Sequence, residues 1–357
     1  MQNSRELNSF PIAPIHKTKL SGAGFLIVED LKDIKPSELS KETGIDLEES
    51  LEIITLVLGG DGDQKASKPT VSALDILHLE NASPYIITFS EQVDSMLGGG
   101  VPLRKVTEFC GSPGIGKTQM CMQLAVDVQI PEAFGGMGGE AVYIDTEGSF
   151  IIERLVDIAK ATVQHCHNIA SENQEPDMLK VMGQFTMESV LSRIHYFRCH
   201  DYVELLSNVH LLPKFLKEHP TVKLVVVDSV AFHFRHDFDD MSLRTRLLTS
   251  MAQSFIQLAT DSSLAVVLTN QMTTKVQQGE SSRLIPALGE SWGHASTIRV
   301  ILYWEGKQRW AWLYKSPSQR EAVVPYQITT GGIRDVVSSK LESDEEGEAP
   351  AKRQRTS

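Results

Sequence analysis

The residues best placed to do chemistry are Lys117 and Thr118, which close the stretch "GSPGIGKT". From Gly111 to Thr118 it fits G-x-x-x-x-G-K-[ST], with Ser112, Pro113, Gly114, Ile115 and Gly116 inside the pattern. Each residue type has a task at that spacing. Glycines let backbone N–H groups wrap phosphate oxygens, the lysine reaches the β- and γ-phosphates, and the hydroxyl serves Mg2+. The helix that follows points its N-terminus at the anion. A strand-like "KVTEF" precedes the loop and an amphipathic "KTQMCMQLAVDV" follows it, which is the context such a grip requires. A plain glycine turn leaves those flanks unexplained. The loop is expected to bind a nucleotide.

A grip of this kind needs a second carboxylate for Mg2+, usually at the end of an apolar strand. Asp228, closing "KLVVVDS", fits best, and Asp145, closing "AVYID", is its rival. Glu147 stands just beyond Asp145 in "DTEGSF", where a carboxylate can orient a water against the γ-phosphate. That division of labour favours Asp228 as the metal partner. The plainer reading of Glu147 is a solvated loop acid. "LAVVLTNQM" ends a further strand in Thr269, Asn270 and Gln271. An amide at such a tip can bond the γ-phosphate and change the next loop when that phosphate leaves, although Asn and Gln are also ordinary turn residues.

These residues need strands to hold them. The runs "VTEFC", "AVYID", "KLVVVD" and "LAVVLT" alternate with helical stretches, and "STIRVILYW", "WAWLYK" and "VVPYQI" follow close together. Apolar runs separated by helices indicate a buried, mainly parallel sheet with helices on both faces, an α/β fold, here with an antiparallel edge at the last runs. Residues 17–58 read as a small helical domain, with Pro36 opening one helix and Asp46 another. Leu47, Leu51, Ile54 and Leu58 recur at helical spacing and are expected to share its buried face. Gly22 and Gly24 fit a turn between helices. Residues 1–16 form an extension, 59–84 a linker, 85–337 the large core, and 338–357 a disordered tail ending in the basic "AKRQR".

Composition sets the outer limits. With 357 residues and 41% hydrophobic content the chain can fill a sizeable core. No apolar run of about 18 residues is present, so no membrane span is expected. The start, "MQNSRELNSFPIAP", has no apolar signal core and reads as cytosolic or nuclear. Cys110, Cys121, Cys166 and Cys199 show no C-x-x-C spacing and are expected to be reduced thiols. A net charge of −12 argues against coating a nucleic acid with the bulk surface, while leaving room for a local basic patch.

The order P-loop, "YIDTEGSF", "VVVDS", "LTNQM", "GHASTIR" resembles the RecA-type recombinases of eukaryotes and archaea over about residues 85–337. "KPSELSKETGI", "QLAVDVQIP", "FRHDFDDMSLRTRLL", "TNQMTTK", "PALGESWGHA" and "LYKSPSQ" are similar to a paralogue of the eukaryotic strand-exchange recombinase. The resemblance implies a RecA-like P-loop ATPase core behind a small helical N-terminal domain, with ATP and Mg2+ as cofactors. It implies Glu147 as catalytic base, Lys117 on the phosphates, Thr118 and Asp228 on the metal, and Gln271 as γ-phosphate sensor. It sets Arg154 on the adenine, His294 at the protomer interface, and Lys315, Ser316 and Pro317 in a cap over a neighbour's ATP. A core histidine and an exposed helix arginine are the plainer readings of His294 and Arg154. The implied role is homologous recombination repair of double-strand breaks and fork protection, in the nucleus. The implied partners are the sibling paralogues B and D, the two X-ray repair cross-complementing paralogues, and single-stranded or branched DNA.

The sequence also departs from the family pattern. The first DNA-facing loop, about Ala231–Met241, sets Arg235 against Asp237, Asp239 and Asp240; the second, about Met272–Glu290, sets Lys275 and Arg283 against Glu280 and Glu290. Phosphate binding needs several cations, so weak DNA affinity is expected, with Arg244 and Arg246 adding some. The family's Phe-x-x-Ala plug is absent from residues 59–88, and "FPIA" at Phe10–Ala13 reads as chance. A hetero-oligomer of slow, DNA-stimulated ATPase subunits fits these departures better than a homo-filament, and a scaffold using ATP as a wedge is the alternative.

Overall fold

Short β-branched runs that are apolar on both faces must be covered on both faces. A computed structural model describing residues 6–32, 34–58, 72–235, 238, 240–275, 283–289 and 291–336 shows how the chain does this. From edge to edge the central sheet holds Gly332–Arg334, Val323–Thr329, Gln308–Lys315, Ile298–Glu305, Val106–Gly111, Ala265–Asn270, Val222–Asp228, Glu140–Asp145 and Ile194–Arg198. Ile298–Glu305 and the five strands after it in that order run parallel to one another. Gln308–Lys315, Val323–Thr329 and Gly332–Arg334 extend the sheet antiparallel. The edge strand Ile194–Arg198, "IHYFR", escaped the sequence reading because His195 and Arg198 interrupt it, so that it forms no apolar run, and none of its residues is fully buried.

Side chains alternate across the strands, and the two faces build separate cores. Tyr143, Leu224, Val226 and Val267 pack with Met120, Leu124, Leu155 and Ile158 on one face. Val142, Ile144, Val225, Val227 and Leu268 pack with Leu205, Leu212, Met251 and Phe255 on the other. The helices of the second face begin on aspartates. Asp201 Oδ1 accepts from Glu204 N at 2.8 Å, and Asp240 Oδ1 accepts from Ser242 N and Leu243 N at 2.8 and 3.1 Å. Asp240, counted in the sequence among the acids of a DNA-facing loop, is thus a helix cap. Its carboxyl lies below the usual range because those backbone N–H groups favour its charge.

The chain divides into two units, residues 1–83 and 84–357. In the first, helices Pro14–Gly22, Pro36–Thr43 and Leu47–Leu58 surround a core of Leu20, Leu31, Leu39, Ile45, Ile53, Ile54 and Val57. Residues set apart in the sequence as an extension belong to it: Leu7, Phe10 and Ile12 are buried in the same core. The buried stripe of Leu47–Leu58 is also rotated from the expected one, through Ser50, Ile53, Ile54 and Val57, with Leu47 and Leu51 only half-buried. An i, i+3, i+4 pattern can be drawn through either set, and contact with the N-terminal segment decides between them. Residues 72–84, expected to be linker, include a helix at Ala73–Ala82, started by Ser72 accepting from Asp75 N at 3.1 Å. Residues 59–71 and the basic tail lie outside the described residues.

Candidate functional site

The C-terminal ends of the parallel strands bring the expected residues together. Val106–Gly111 runs straight into the loop, and helix Lys117–Asp127 leaves it. Gly116 is the helix N-cap at φ 116°, a conformation that a side chain resists, and an added Cβ there would lie 2.4 Å from Ile328 Cδ1. A glycine N-cap offers no side chain to the first-turn N–H groups, and the first turn has no acid. The helix end is therefore open to an anion. The loop is braced from the antiparallel strands. Tyr326 Oη and Arg309 Nε donate to Ile115 O at 2.9 and 3.1 Å, and the Arg309 guanidinium lies over Trp304, 4.1 Å from its centroid.

Lys117 Nζ donates to Gly111 O and Ser112 O at 2.9 and 3.2 Å, so the ammonium sits at the mouth of the loop. Burial pushes its pKa down, while the nearby charges of Asp228 and Glu147 oppose that. Asp228 ends its strand directly beside Asp145, its register partner. It is buried, and burial pushes its carboxyl up despite hydrogen bonds from Thr269, Thr118 and Tyr143. Tyr143 Oη donates to Oδ2 at 2.9 Å and Thr269 Oγ1 donates to Oδ1. A desolvated carboxylate that is hydrogen-bonded to the loop's own Thr118 and lies near the Lys117 ammonium suits a divalent cation beside the phosphates.

Asp145, the rival, is spent elsewhere. Its Oδ1 accepts from the N–H groups of Glu147, Gly148 and Ser149 at 3.0, 2.7 and 3.3 Å, and its Oδ2 from Phe150 N and Tyr196 Oη at 3.3 and 3.0 Å. It shapes the turn that presents Glu147. Glu147 is half-buried, and its Oε1 accepts from Ser229 Oγ at 2.5 Å and Gln271 Nε2 at 2.7 Å. Arg235, expected on DNA, donates to Gln271 Oε1. Asn270 turns the other way and is buried, donating to Glu108 Oε1 at 2.8 Å and Ala287 O at 3.0 Å. Of the two amides at this tip, only Gln271 faces the loop acids.

Arg154 is half-buried and donates to Gln119 Oε1 at 2.6 Å, to Thr329 O at 2.7 Å and to Thr330 O, which binds the helix after the Glu147 turn to the first helix of the grip and to a strand end. His294 is exposed at the end of the turn Ser291–His294 and is no core histidine. Lys315 Nζ donates to Gly293 O and Ser296 O at 3.0 and 2.6 Å, anchoring that turn from below. Ser316 Oγ accepts from Ser318 N and Gln319 N at 3.3 and 3.1 Å, with Pro317 exposed beside it.

Arg244 is half-buried and donates to Phe234 O at 2.6 Å, and Arg246 is exposed. The ends of the second loop pair as an antiparallel ribbon, Met272–Lys275 with Arg283–Pro286, in which Lys275 and Arg283 are register partners. His236, Asp237, Asp239, residues 276–282 and Glu290 lie outside the described residues.

Sequence reasoning missed the supports. Ser229 and Tyr143 hold the two acids, and both were within reach of inspection as the neighbour of Asp228 and the residue two before Asp145. Glu108 is buried beneath the loop and accepts from Asn270, Trp292 Nε1 at 2.8 Å, Ser296 Oγ at 3.2 Å and Arg299 Nε at 2.6 Å. A lone acid in "VTEFC" gives no hint of partners some 190 residues away.

A glycine-cradled loop at the tips of a parallel sheet, opposed by a buried aspartate and a bonded glutamate, defines a RecA-like P-loop protein. Comparison places it further. The chain matches the Rad51 family over residues 82–173 and 173–336. It is 54% identical over 351 residues to the DNA repair protein RAD51 homolog 3 of Cricetulus griseus, covering 96% of this chain and 95% of that one. It is 47% identical over 268 residues to the protein of that name from Dictyostelium discoideum (74% and 70% covered). It is 31% identical over 342 residues to the DNA repair and recombination protein RadA of Aeropyrum pernix (93% and 97%). The chain belongs to the Rad51 family, among its RecA-type recombinase paralogues.

Proposed function

We propose that the chain is an ATP-binding, DNA-stimulated ATPase subunit of recombinase-paralogue assemblies, acting in homologous recombination repair and fork protection. One arrangement supports this most: Gln271 and Ser229 both donate to Glu147, beside Lys117, Thr118 and Asp228 at a single sheet rim. Bound ATP with Mg2+ would supply the transferable phosphoryl group and the divalent charge that neutralises its oxygens. The residues that hold them are Gly111–Thr118 and Asp228, with Arg154 on the base. Lys117 exchanges its two loop carbonyls for phosphate oxygens. Glu147, fixed by Ser229 and Gln271, accepts a proton from the attacking water. Gln271, also bonded to Arg235, is placed to report the γ-phosphate to the first DNA-facing loop.

The partners fit a hetero-oligomer: sibling paralogues B and D, the X-ray repair cross-complementing paralogues, and single-stranded or branched DNA. Phe10, the first residue of the only Phe-x-x-Ala match, is buried in the N-terminal core and so is not offered to a neighbour. His294 and the Lys315–Pro317 segment are the surface through which a sibling meets the nucleotide. A nuclear location accords with the repair role and the "KRQR" ending. No helix among the described residues is long and apolar enough to cross a membrane. The decisive variant is Lys117→Ala, which should abolish ATP binding in a fluorescent-nucleotide titration and fail to restore repair in cells lacking the protein. Normal repair by that variant would remove the nucleotide from the function.

A further inference from the structure

At the opposite end of the parallel strands, three side chains from three separate segments converge. Glu140 opens the strand Glu140–Asp145, His195 lies in the edge strand Ile194–Arg198, and His219 is the C-cap of helix Tyr202–Glu218. One potential ligand atom from each lies within 4.8 Å of the other two, and all three residues are half-buried. Glu140 Oε2 and His195 Nε2 are 2.8 Å apart. The imidazoles of His195 and His219 have centroids 4.7 Å apart. Phe215 fixes both rings, stacking on His219 at 4.2 Å and meeting His195 edge-on at 5.1 Å. No hydrogen bond to a ring nitrogen of His219 is formed among the described residues.

We propose that Glu140, His195 and His219 form a Zn2+ site that clamps the edge strand to its neighbour and to the end of the adjoining helix. Two imidazoles and a carboxylate are a borderline-soft set that favours zinc and its first-row neighbours over Mg2+. Three protein ligands leave a fourth position for water. Tetrahedral bonds of about 2.1 Å put ligand atoms about 3.4 Å apart, between the 2.8 Å of the Glu140–His195 pair and the 4.8 Å limit that encloses all three atoms. Arg193 Nε, 3.7 Å from Glu140 Oε1, and its bond to Gly138 O hold the carboxylate's other oxygen and leave Oε2 facing the histidines. That guanidinium is also the feature that weighs against a cation, and it limits the affinity. The site is a full strand away from the nucleotide end, about 16 Å at 3.3 Å per residue. Clamping there would secure an exposed sheet edge. None of this depends on ATP.

The test uses the untagged full chain, stripped of metal and free of nucleotide. Titrating Zn2+ by calorimetry, and Co2+ by the visible bands of a four-coordinate ion, should give one saturable site that excess Mg2+ does not displace. His219→Ala and Glu140→Gln should each weaken Zn2+ binding by about 100-fold or more, since even outer-shell changes cost 10–100-fold. Both variants should keep wild-type ATP–Mg2+ affinity. Zinc should raise the melting temperature of the wild type and not that of His219→Ala. Absence of a saturable site, or a site of equal strength in both variants, overturns the proposal and leaves a hydrogen-bonded His195–Glu140 pair with His195 packed on Phe215.

Discussion

Glu147→Gln separates chemistry from shape. Ser229 Oγ and Gln271 Nε2 both donate to one oxygen of Glu147, at 2.5 and 2.7 Å. A glutamine can keep its carbonyl oxygen in that place and retain both bonds. The turn itself is held from Asp145 through the N–H groups of Glu147, Gly148 and Ser149 and does not depend on the side chain being charged. What disappears is the carboxylate that takes the proton. Loss of a general base costs about 10²–10⁴-fold, or about 3–5 kcal/mol in the barrier at 1.36 kcal/mol per decade. Nucleotide affinity should stay within about threefold, because Lys117, Thr118 and Asp228 are untouched. Phosphate release in single-turnover assays, with DNA and sibling paralogues present, measures the first quantity, and a fluorescent ATP analogue measures the second. Turnover within about fivefold of wild type would refute the assignment. Full repair by a variant that binds ATP without splitting it would instead favour the scaffold reading, in which the nucleotide is a wedge between subunits.

Other perturbations probe the frame. Glu108→Ala strands the buried Arg299 guanidinium and removes the acceptor of Asn270, Trp292 and Ser296. It should cost about 3–5 kcal/mol in urea unfolding, and a loss below about 1 kcal/mol would show the network to be dispensable. Burial pushes the Asp94 carboxyl from 3.8 up to about 6, against the bonds from Thr88. The native state therefore holds the proton longer than the unfolded chain does. The stability from that proton is complete below about pH 4 and lost as pH rises through about 6. Asp94→Asn, which still accepts from Thr88 N, should gain on wild type across that window, by up to about 2 kcal/mol, and a pH-independent difference would contradict this. Arg235→Ala frees Gln271 Oε1 and should reduce the stimulation of ATPase by DNA several-fold while changing basal turnover less. Equal losses in both would mean that Arg235 only supports the pocket.

The chemistry of this chain was legible where function demands contiguous residues. The grip from Gly111 to Thr118, the seven apolar runs, and the acids at two strand tips could all be marked on the sequence, because local spacing is what makes a loop, a strand or a cap. Choosing between Asp145 and Asp228 rested on where Glu147 falls, and the geometry gives each a different employment: Asp145 ties its own turn, while Asp228 reaches Thr118. What stayed hidden is contact between distant segments. Phe10 and Ile12 read as loose ends and lie in a core. Leu51 fits a helical stripe yet gives way to Ile53. Glu108 and Arg299 sit 191 positions apart with nothing local to join them. The edge strand Ile194–Arg198 has little apolar signature, being covered fully on neither face.

The phosphate loop is shaped partly from far down the chain. Arg309 and Tyr326 hold the carbonyl of Ile115 from strands that follow the motif by some two hundred residues. A translation product cut short near residue 300 would keep every letter of the signature, and both acids, yet lose the two props that set the cradle's curvature. Early stop codons in this region should thus yield chains that carry the whole signature without the hydrogen bonds that brace Ile115, and the loop is finished only once translation has passed Tyr326.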